Sequence, residues 1–203
     1  MKFMRDIPDN YFDLVLADPP YGIDAGKNIF SDLHKKKDWD KNKPKKKYFV
    51  ELQRISKNQI IWGINYYSYY LGCGRIIWDK DLTPKYENRR SEYEIAFCSF
   101  HNRTAKVRYR WIGNVQGKKI NWKNEGLDKR IHPTQKPRDL YKWLLTNYAK
   151  AGDKIFDSHG GSFSSACACL DMGFSFDGCE IDFDYFNLAI KRLKNNIQEY
   201  LEL

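Results

Sequence analysis

Short apolar runs alternate along the chain with polar, basic segments. Residues 11–17 are apolar at nearly every position and are followed by Pro19 and Pro20, which cannot continue a hydrogen-bonded ladder. This pattern predicts a buried strand with Asp18 at its carboxyl end. Similar apolar runs predict three more strands, at 59–62, 75–78 and 93–100.

Apolar positions at helical spacing occur first around Phe49, Leu52 and Ile55. In the last third, helix and strand patterns alternate: helices at 139–150, 164–172 and 185–200, and strands at 154–156 and 174–181. A strand, a glycine-containing turn, a helix and a strand form a βαβ unit. We therefore predict an α/β fold with a mostly parallel open sheet and helices on both faces.

The length of 203 residues predicts a single domain over residues 1–203. A lysine-rich segment at about 31–47 lacks hydrophobic periodicity and is expected to be a mobile surface loop. A second basic segment, at about 79–131, has interleaved tryptophans and is expected to be an insertion.

Charge and composition narrow the class of partner. Lys and Arg number 35 against 26 Asp and Glu, a formal net charge of +9, and 16% of residues are aromatic. Such an excess favours a polyanion, although charge alone does not establish nucleic-acid binding. We expect neither a membrane span nor a signal peptide, and hence a cytoplasmic location. The 5 cysteines include no C-x-x-C pair, so no metal site is expected.

The sequence Asp18-Pro19-Pro20-Tyr21 directly after a strand is the strongest chemical signal. The exocyclic amine of a nucleobase is a poor nucleophile, and an enzyme can activate it by accepting its two N–H hydrogen bonds. The Asp18 carboxylate and the Pro19 carbonyl can do this from a rigid backbone, and Tyr21 offers a ring for an extruded base. The alternative is an ordinary proline-rich turn in which Asp18 accepts turn amides.

Two further motifs follow in the last third. Residues 156–162 place Gly160 and Gly161 between a strand and a helix, where backbone can approach a ligand, and Glu180 follows at a distance typical of ribose-binding acids. The alternative is a plain turn followed by solvated acids. Residues 132–137, HPTQKP, precede a helix and can also be a simple helix leader, capped by Thr134 or Asp139.

In this order, the motifs resemble the β group of amino-methylating DNA methyltransferases, in which the D-P-P-Y loop precedes the cofactor turn. The resemblance covers nearly the whole chain, through DLVLADPPYG, WGINYY, IIWDK, HPTQKP and GCEID, and is especially close to the compact phage-type members. It implies a Rossmann-like fold, S-adenosylmethionine as cofactor and double-stranded DNA, with a flipped base, as substrate. Asp rather than Ser at position 18 favours adenine N6 as the target.

The resemblance also assigns residues. It implies a catalytic loop of Asp18, Pro19, Pro20 and Tyr21, and cofactor contacts from Asp157, His159, Gly160, Gly161, Ser162 and Glu180. Thr134, Lys136 and Pro137 would lie near the methionine end of the cofactor, with Asn65 as a weaker candidate. DNA contacts are expected in the basic insertion, from Arg89, Arg90, Arg108, Arg110, Lys118 and Lys119.

One departure from the family concerns the cofactor turn. Relatives usually carry a second glycine two positions after Gly161, where this chain has Phe163. The ring is expected either to crowd the cofactor or, as we favour, to pack beneath the turn. Alternatives that stay open are a cytosine-N4 or RNA amino-methyltransferase and a catalytically degenerate DNA-binding relative. The resemblance is compatible with a monomer or a homodimer.

Overall fold

The computed structural model describes residues 2–25, 37–82, 91–112, 115–116 and 130–201. The strands in these ranges are β1 (Phe12–Ala17), β2 (Ser56–Trp62), β3 (Arg75–Asp79), β4 (Tyr93–Cys98), β5 (Thr104–Arg108), β6 (Trp111–Ile112), β7 (Val115–Gln116), β8 (Lys154–Asp157) and β9 (Ser175–Gly178). The α-helices are α1 (Lys2–Arg5), α2 (Lys46–Ile55), α3 (Arg138–Tyr148), α4 (Ser164–Met172) and α5 (Phe183–Leu201). A short 3-10 turn spans Ile64–Tyr66.

A seven-stranded sheet in the order β5-β3-β4-β2-β1-β8-β9 forms the centre of the molecule. Strands β2, β1, β8 and β9 are parallel neighbours, and β3 and β5 are also parallel. Strand β4 runs antiparallel to both β2 and β3. The prediction of a mostly parallel α/β sheet is therefore confirmed.

Helices cover both faces of the sheet, because the central strands are apolar on both sides. Leu14 and Leu16 of β1 face a core that includes residues of α3 and α4. Val15 and Ala17 face a second core formed mainly with α2. Strand β1 is therefore a continuous apolar run rather than an alternating one.

The parallel strands β1, β2, β8 and β9 all end at the same edge of the sheet. The chain that follows β1 forms α2 on one face of the sheet, and the chain that follows β8 forms α4 on the other face. Because the two connections diverge, a crevice opens at this edge, where α/β sheets commonly bind ligands. The residues after β1, β8 and β9 meet there. Within the ranges described above, no helix is both long and apolar enough to cross a membrane.

Several predicted boundaries differ from the structure by a few residues, and two of them bear on the site. The strand expected to continue to residue 181 ends at Gly178, and the last helix begins at Phe183 rather than at 185. The intervening residues turn towards the glycine turn, where the Gly160 N–H donates to the Cys179 carbonyl over 2.8 Å. This contact joins segments that are separated in sequence by a helix and a strand, which a local pattern does not reveal.

Candidate active site

The loop Asp18–Tyr21 leaves β1 directly into the crevice. The Tyr21 hydroxyl donates a hydrogen bond to Asp18 Oδ1 over 2.7 Å, and the Tyr67 hydroxyl donates to the Pro19 carbonyl over 2.7 Å. The Pro19 carbonyl thus has one donor from the protein, and the Asp18 carboxylate has a second donor, the Lys136 ammonium, on Oδ2. Carboxylate and carbonyl oxygens each have two lone pairs, so both can accept a further bond from a ligand.

The ring of Tyr21 lies against a glycine and stacks on a second aromatic ring. It stacks on Tyr66 with a centroid distance of 4.6 Å and an interplanar angle of 12°. A Cβ atom at Gly63 would lie 2.2 Å from Tyr21 Cε1, and Gly63 has a left-handed φ of 73°. Position 63 therefore requires glycine for two independent reasons.

Asp40 organises the backbone that follows the loop. Its buried carboxylate accepts N–H bonds from Tyr21 and Gly22 on Oδ1, and from Ile23 and Ala25 on Oδ2, over 2.6 to 3.2 Å. Four charge-assisted bonds to one carboxylate fix the course of residues 21–25. This role of Asp40 is not evident from the sequence, because the residue stands within a lysine-rich segment.

The segment around Asp40 also contacts the opposite side of the crevice. Lys37 Nζ lies 2.6 Å from Asp182 and 2.8 Å from Asp184, at the start of α5. The Trp39 ring packs against His132, and its indole N–H has no hydrogen-bond partner among the described residues. Residues 37–45 follow irregular backbone with exposed lysines, and the expectation of a mobile surface loop stays a prediction there, whereas residues 31–36 lie outside the described ranges.

A buried ion cluster adjoins Asp18. Lys136 Nζ lies 2.5 Å from Asp18 Oδ2 and 2.9 Å from Glu94 Oε2, and Glu94 Oε1 lies 2.7 Å from Lys80 Nζ. Burial opposes ionisation of Glu94, but Lys136 and Lys80 outweigh it and lower its pKa to about 2. Burial also acts to lower the pKa of Lys136, yet the two carboxylates raise it. The Lys136 ammonium, predicted to lie near the methionine end of the cofactor, is thus bound by two protein carboxylates.

Glu94 was not predicted as a site residue. The signal available in the sequence was a single acidic residue within the apolar run 93–100. Such a residue in an inner strand needs a buried partner. The partner Lys136 is distant in sequence and could not be named from the pattern.

The glycine turn after β8 is built around two carboxylates. Asp157 is buried beneath the turn and accepts bonds from the Ser165 hydroxyl over 2.6 Å and the His159 N–H over 3.0 Å. Burial raises the pKa of Asp157 to about 7 and lowers that of His159 to about 4. Glu180 Oε2 accepts the Gly161 N–H over 2.7 Å, so this acid shapes the turn that it faces.

The Phe163 ring packs beneath the turn, as we favoured. Its side chain is buried, and its ring makes edge contacts with Phe176 and Phe186. A Cβ atom at Gly160 would lie 2.0 Å from Phe163 Cε1, so this glycine leaves the space that the ring occupies. Phe163 has a left-handed φ of 51° and does not line the crevice cavity.

One cavity of about 530 Å³ joins the turn to the loop. Of the residues predicted for catalysis or cofactor binding, those that line it are Asp18, Pro19, Pro20, Tyr21, Asn65, Thr134, Lys136, His159, Gly160, Gly161, Ser162 and Glu180. Asp157 lies below the turn, and Pro137 immediately precedes α3. The Thr134 hydroxyl lies 3.2 Å from His132 Nδ1, within hydrogen-bond distance.

The cavity fits S-adenosylmethionine in size and in its chemical groups. Its volume lies in the range of small-molecule sites, about 300 to 1,000 Å³. Glu180 uses one oxygen for Gly161 and the other for the Asp182 N–H, and its remaining lone pairs suit a ribose diol. A ligand that contacts this acid and extends along the cavity reaches Asp18. Among the described residues, no group of three or more acidic, His or Cys side chains could hold a metal ion.

Comparison with known proteins identifies the family. The sequence model of the N6/N4 DNA methylases, described as "DNA methylase", matches residues 75–191, more than half of the chain. The chain belongs to this family. The methylase is 25% identical to the type II methyltransferase M2.DpnII of Streptococcus pneumoniae, over 95% of this chain and 86% of that protein. It is 21% identical to M.HpaI of Haemophilus parainfluenzae, over 98% of this chain and 74% of that protein.

Solved structures share the fold of the methylase. The M1.HpyAVI–SAM complex aligns with a TM-score of 0.58 at 20% identity, covering 94% of this chain and 91% of that one. The PvuII DNA methyltransferase, described as cytosine-N4-specific, aligns with a TM-score of 0.57 at 12% identity, covering 92% and 81%. A DNA modification methylase of Thermus thermophilus, described as putative and complexed with S-adenosyl-L-methionine, aligns at 0.53 and 16% identity, covering 97% and 92%.

Two of the four arginines predicted to contact DNA lie in the described residues, and both are paired with carboxylates. Arg108 Nε lies 3.1 Å from Asp79, and Arg110 lies 2.7 Å from Asp81. Arg108 nevertheless keeps 63% of its side chain exposed, so a phosphate can still reach it. Arg89, Arg90, Lys118 and Lys119 lie outside the described residues.

Proposed function

We propose that this DNA methyltransferase methylates the exocyclic N6 of adenine and belongs to the β group, as a compact phage-type member. S-adenosylmethionine is its cofactor. The observation that supports methylation of an exocyclic amine is the position of the Asp18 carboxylate and the Pro19 carbonyl, in the same cavity as the glycine turn and Glu180, and Asp rather than Ser at position 18 favours adenine as the target. The proposal covers one domain over residues 1–203, with target recognition in the segment at about 79–131.

The residues of the loop have distinct tasks in this proposal. When bound, the cofactor supplies an electrophilic methyl group. Asp18 and the Pro19 carbonyl accept the two N–H bonds of the adenine amine, which turns the nitrogen lone pair towards that methyl group. Asp18 would also accept the proton that the amine loses when it is methylated. Asp40 and Gly63 hold this loop in place.

The target base reaches this loop only if it leaves the duplex. We propose that it stacks on the side of the Tyr21 ring opposite Tyr66, since Tyr66 covers one face. His159, Gly160, Gly161, Ser162 and Glu180 would contact the cofactor, with Thr134 and Asn65 along the same cavity. Exposed arginines of the segment 79–131 would contact phosphates.

The experiment is methylation of DNA with isotope-labelled S-adenosylmethionine, followed by digestion to nucleosides and mass spectrometry. We expect label in N6-methyladenine. Label in N4-methylcytosine would overturn the target assignment, and label in RNA alone would overturn the substrate. Asp18→Ala should reduce turnover about a hundredfold or more. Its affinity for S-adenosylmethionine, measured by calorimetry, should stay within a few fold, because the carboxylate serves the amine.

A further inference from the structure

The buried ion cluster beside Asp18 alternates in charge. It runs from Asp18 through Lys136 and Glu94 to Lys80, with successive charged atoms 2.5, 2.9 and 2.7 Å apart. The Lys136 side chain is only 4% exposed, and its ammonium is shared between the two carboxylates. The cluster has no net charge, so each ion offsets the burial of its neighbours.

Asp18 has to be ionised for the role proposed above. A protonated carboxyl group donates from one oxygen and cannot take a proton from the amine. Burial raises the pKa of Asp18, the nearby Lys136 charge acts to lower it, and the Glu94 charge acts to raise it further. The protonation state of Asp18 thus depends on how closely the Lys136 ammonium contacts Asp18 rather than Glu94.

We propose that Lys136 is a positioning residue that keeps the Asp18 carboxylate ionised and directed into the cavity, and that Glu94 limits this effect by sharing the ammonium. The inference rests on the proposed role of Asp18 as acceptor. It replaces the predicted role of Lys136 as a ligand of the cofactor carboxylate. We infer the new role because Lys136 Nζ lies 2.5 Å from the Asp18 carboxylate and 2.9 Å from the Glu94 carboxylate.

The other titratable groups around Asp18 do not change its contacts near neutral pH. They either keep one protonation state there or hydrogen-bond to residues outside the ion cluster. Tyr21, Tyr48, Tyr67 and Tyr141 have pKa values raised by burial, so they stay protonated. Glu94, with a pKa of about 2, stays ionised. Asp157 has a pKa of about 7, but its hydrogen bonds go to Ser165 and His159 rather than to the cluster. Changes at Lys136 and Glu94 therefore report on Asp18.

The test compares single-turnover methylation rates across pH for four proteins. Lys136→Met retains most of the side-chain volume and removes the charge. We expect its rate at neutral pH to fall about tenfold or more, and the acid limb of its pH profile to move to higher pH, so that the deficit shrinks as pH rises. Lys136→Arg keeps the positive charge, so it should keep the pH profile of the wild type. Glu94→Gln should move the acid limb in the opposite direction, to lower pH.

The opposite signs separate this role from structural damage, because a poorly folded variant does not gain activity at low pH. Acid limbs that coincide with the wild type in both Lys136→Met and Glu94→Gln would overturn the inference. So would a Lys136→Met variant that loses S-adenosylmethionine affinity, measured by calorimetry, while its pH profile is unchanged. Asp18→Asn is the control for the proposed function itself, since normal turnover in that variant would refute the role of Asp18 directly.

Discussion

Phe163 offers a sharp test of how the cofactor turn is built, since this residue stands where the family resemblance predicts a glycine. Truncating a buried phenylalanine to alanine costs about 3 to 5 kcal/mol of unfolding free energy. Phe163 is 3% exposed, so Phe163→Ala should fall in this range. Phe163→Gly should cost about 1 kcal/mol less, because glycine adopts the left-handed conformation at position 163 without strain.

The assay is thermal unfolding of the wild type and both variants, each with and without S-adenosylmethionine. For a chain of this size each kcal/mol shifts Tm by roughly 2 to 4 °C, so Phe163→Ala should melt about 6 to 20 °C lower. The ligand-induced increase in Tm should be similar in all three proteins, because the ring does not line the cavity. A Phe163→Gly protein that melts no lower and gains a larger ligand-induced shift would refute this reasoning.

Gly160 provides a matched control for the same contact. In the wild type, Gly160→Ala would place a Cβ atom 2.0 Å from the Phe163 ring, so the change should be strongly destabilising. In the Phe163→Ala background that ring is gone, and the same change should cost much less. Additive losses in the double variant would mean that the two residues do not share this space.

Further variants test the loop, the turn and the DNA contacts. Asp40→Asn replaces one carboxylate oxygen by an amide group, so about two of the four backbone N–H groups lose their acceptor. Turnover should fall roughly tenfold or more, whereas the affinity for S-adenosylmethionine should stay within a few fold. Unchanged turnover would contradict the role of Asp40. Asp157 has its pKa raised from 3.8 to about 7, so it contributes stability that is fully present below pH 3.8 and is lost as pH rises through 7. Asp157→Asn should therefore flatten the pH dependence of urea unfolding over this range, and an unaltered dependence would count against the raised pKa. Arg108→Gln with Arg110→Gln should reduce the salt slope of DNA affinity by about one to two, as expected for lost phosphate contacts. Lys57→Gln, at the opposite edge of the sheet, should leave that slope unchanged, and equal effects would indicate a non-specific loss of charge.

The sequence alone determined the main elements and the positions of three motifs. Strand β1, the glycine turn and helix α4 follow from local periodicity, from prolines that end a strand and from glycines that permit a turn. Parallel strands end at one edge of a sheet, so a mostly parallel sheet brings the residues that follow β1, β8 and β9 to a common crevice. These features depend on residues that are close in sequence, and a linear pattern records them.

Only the tertiary structure decided which charges meet. Lys136 contacts Asp18 across 118 positions of sequence. Asp40 accepts hydrogen bonds from the backbone of residues 21–25, which lie 15 to 19 positions before it. The direction of the Phe163 ring likewise depends on space left by Gly160 and Gly178. Long side chains such as lysine reach many partners, and strand register and burial select among them. The lysine-rich composition did not reveal the contacts of Asp40, because composition describes the solvation of an isolated segment and not the hydrogen bonds that a buried carboxylate makes to residues 21–25.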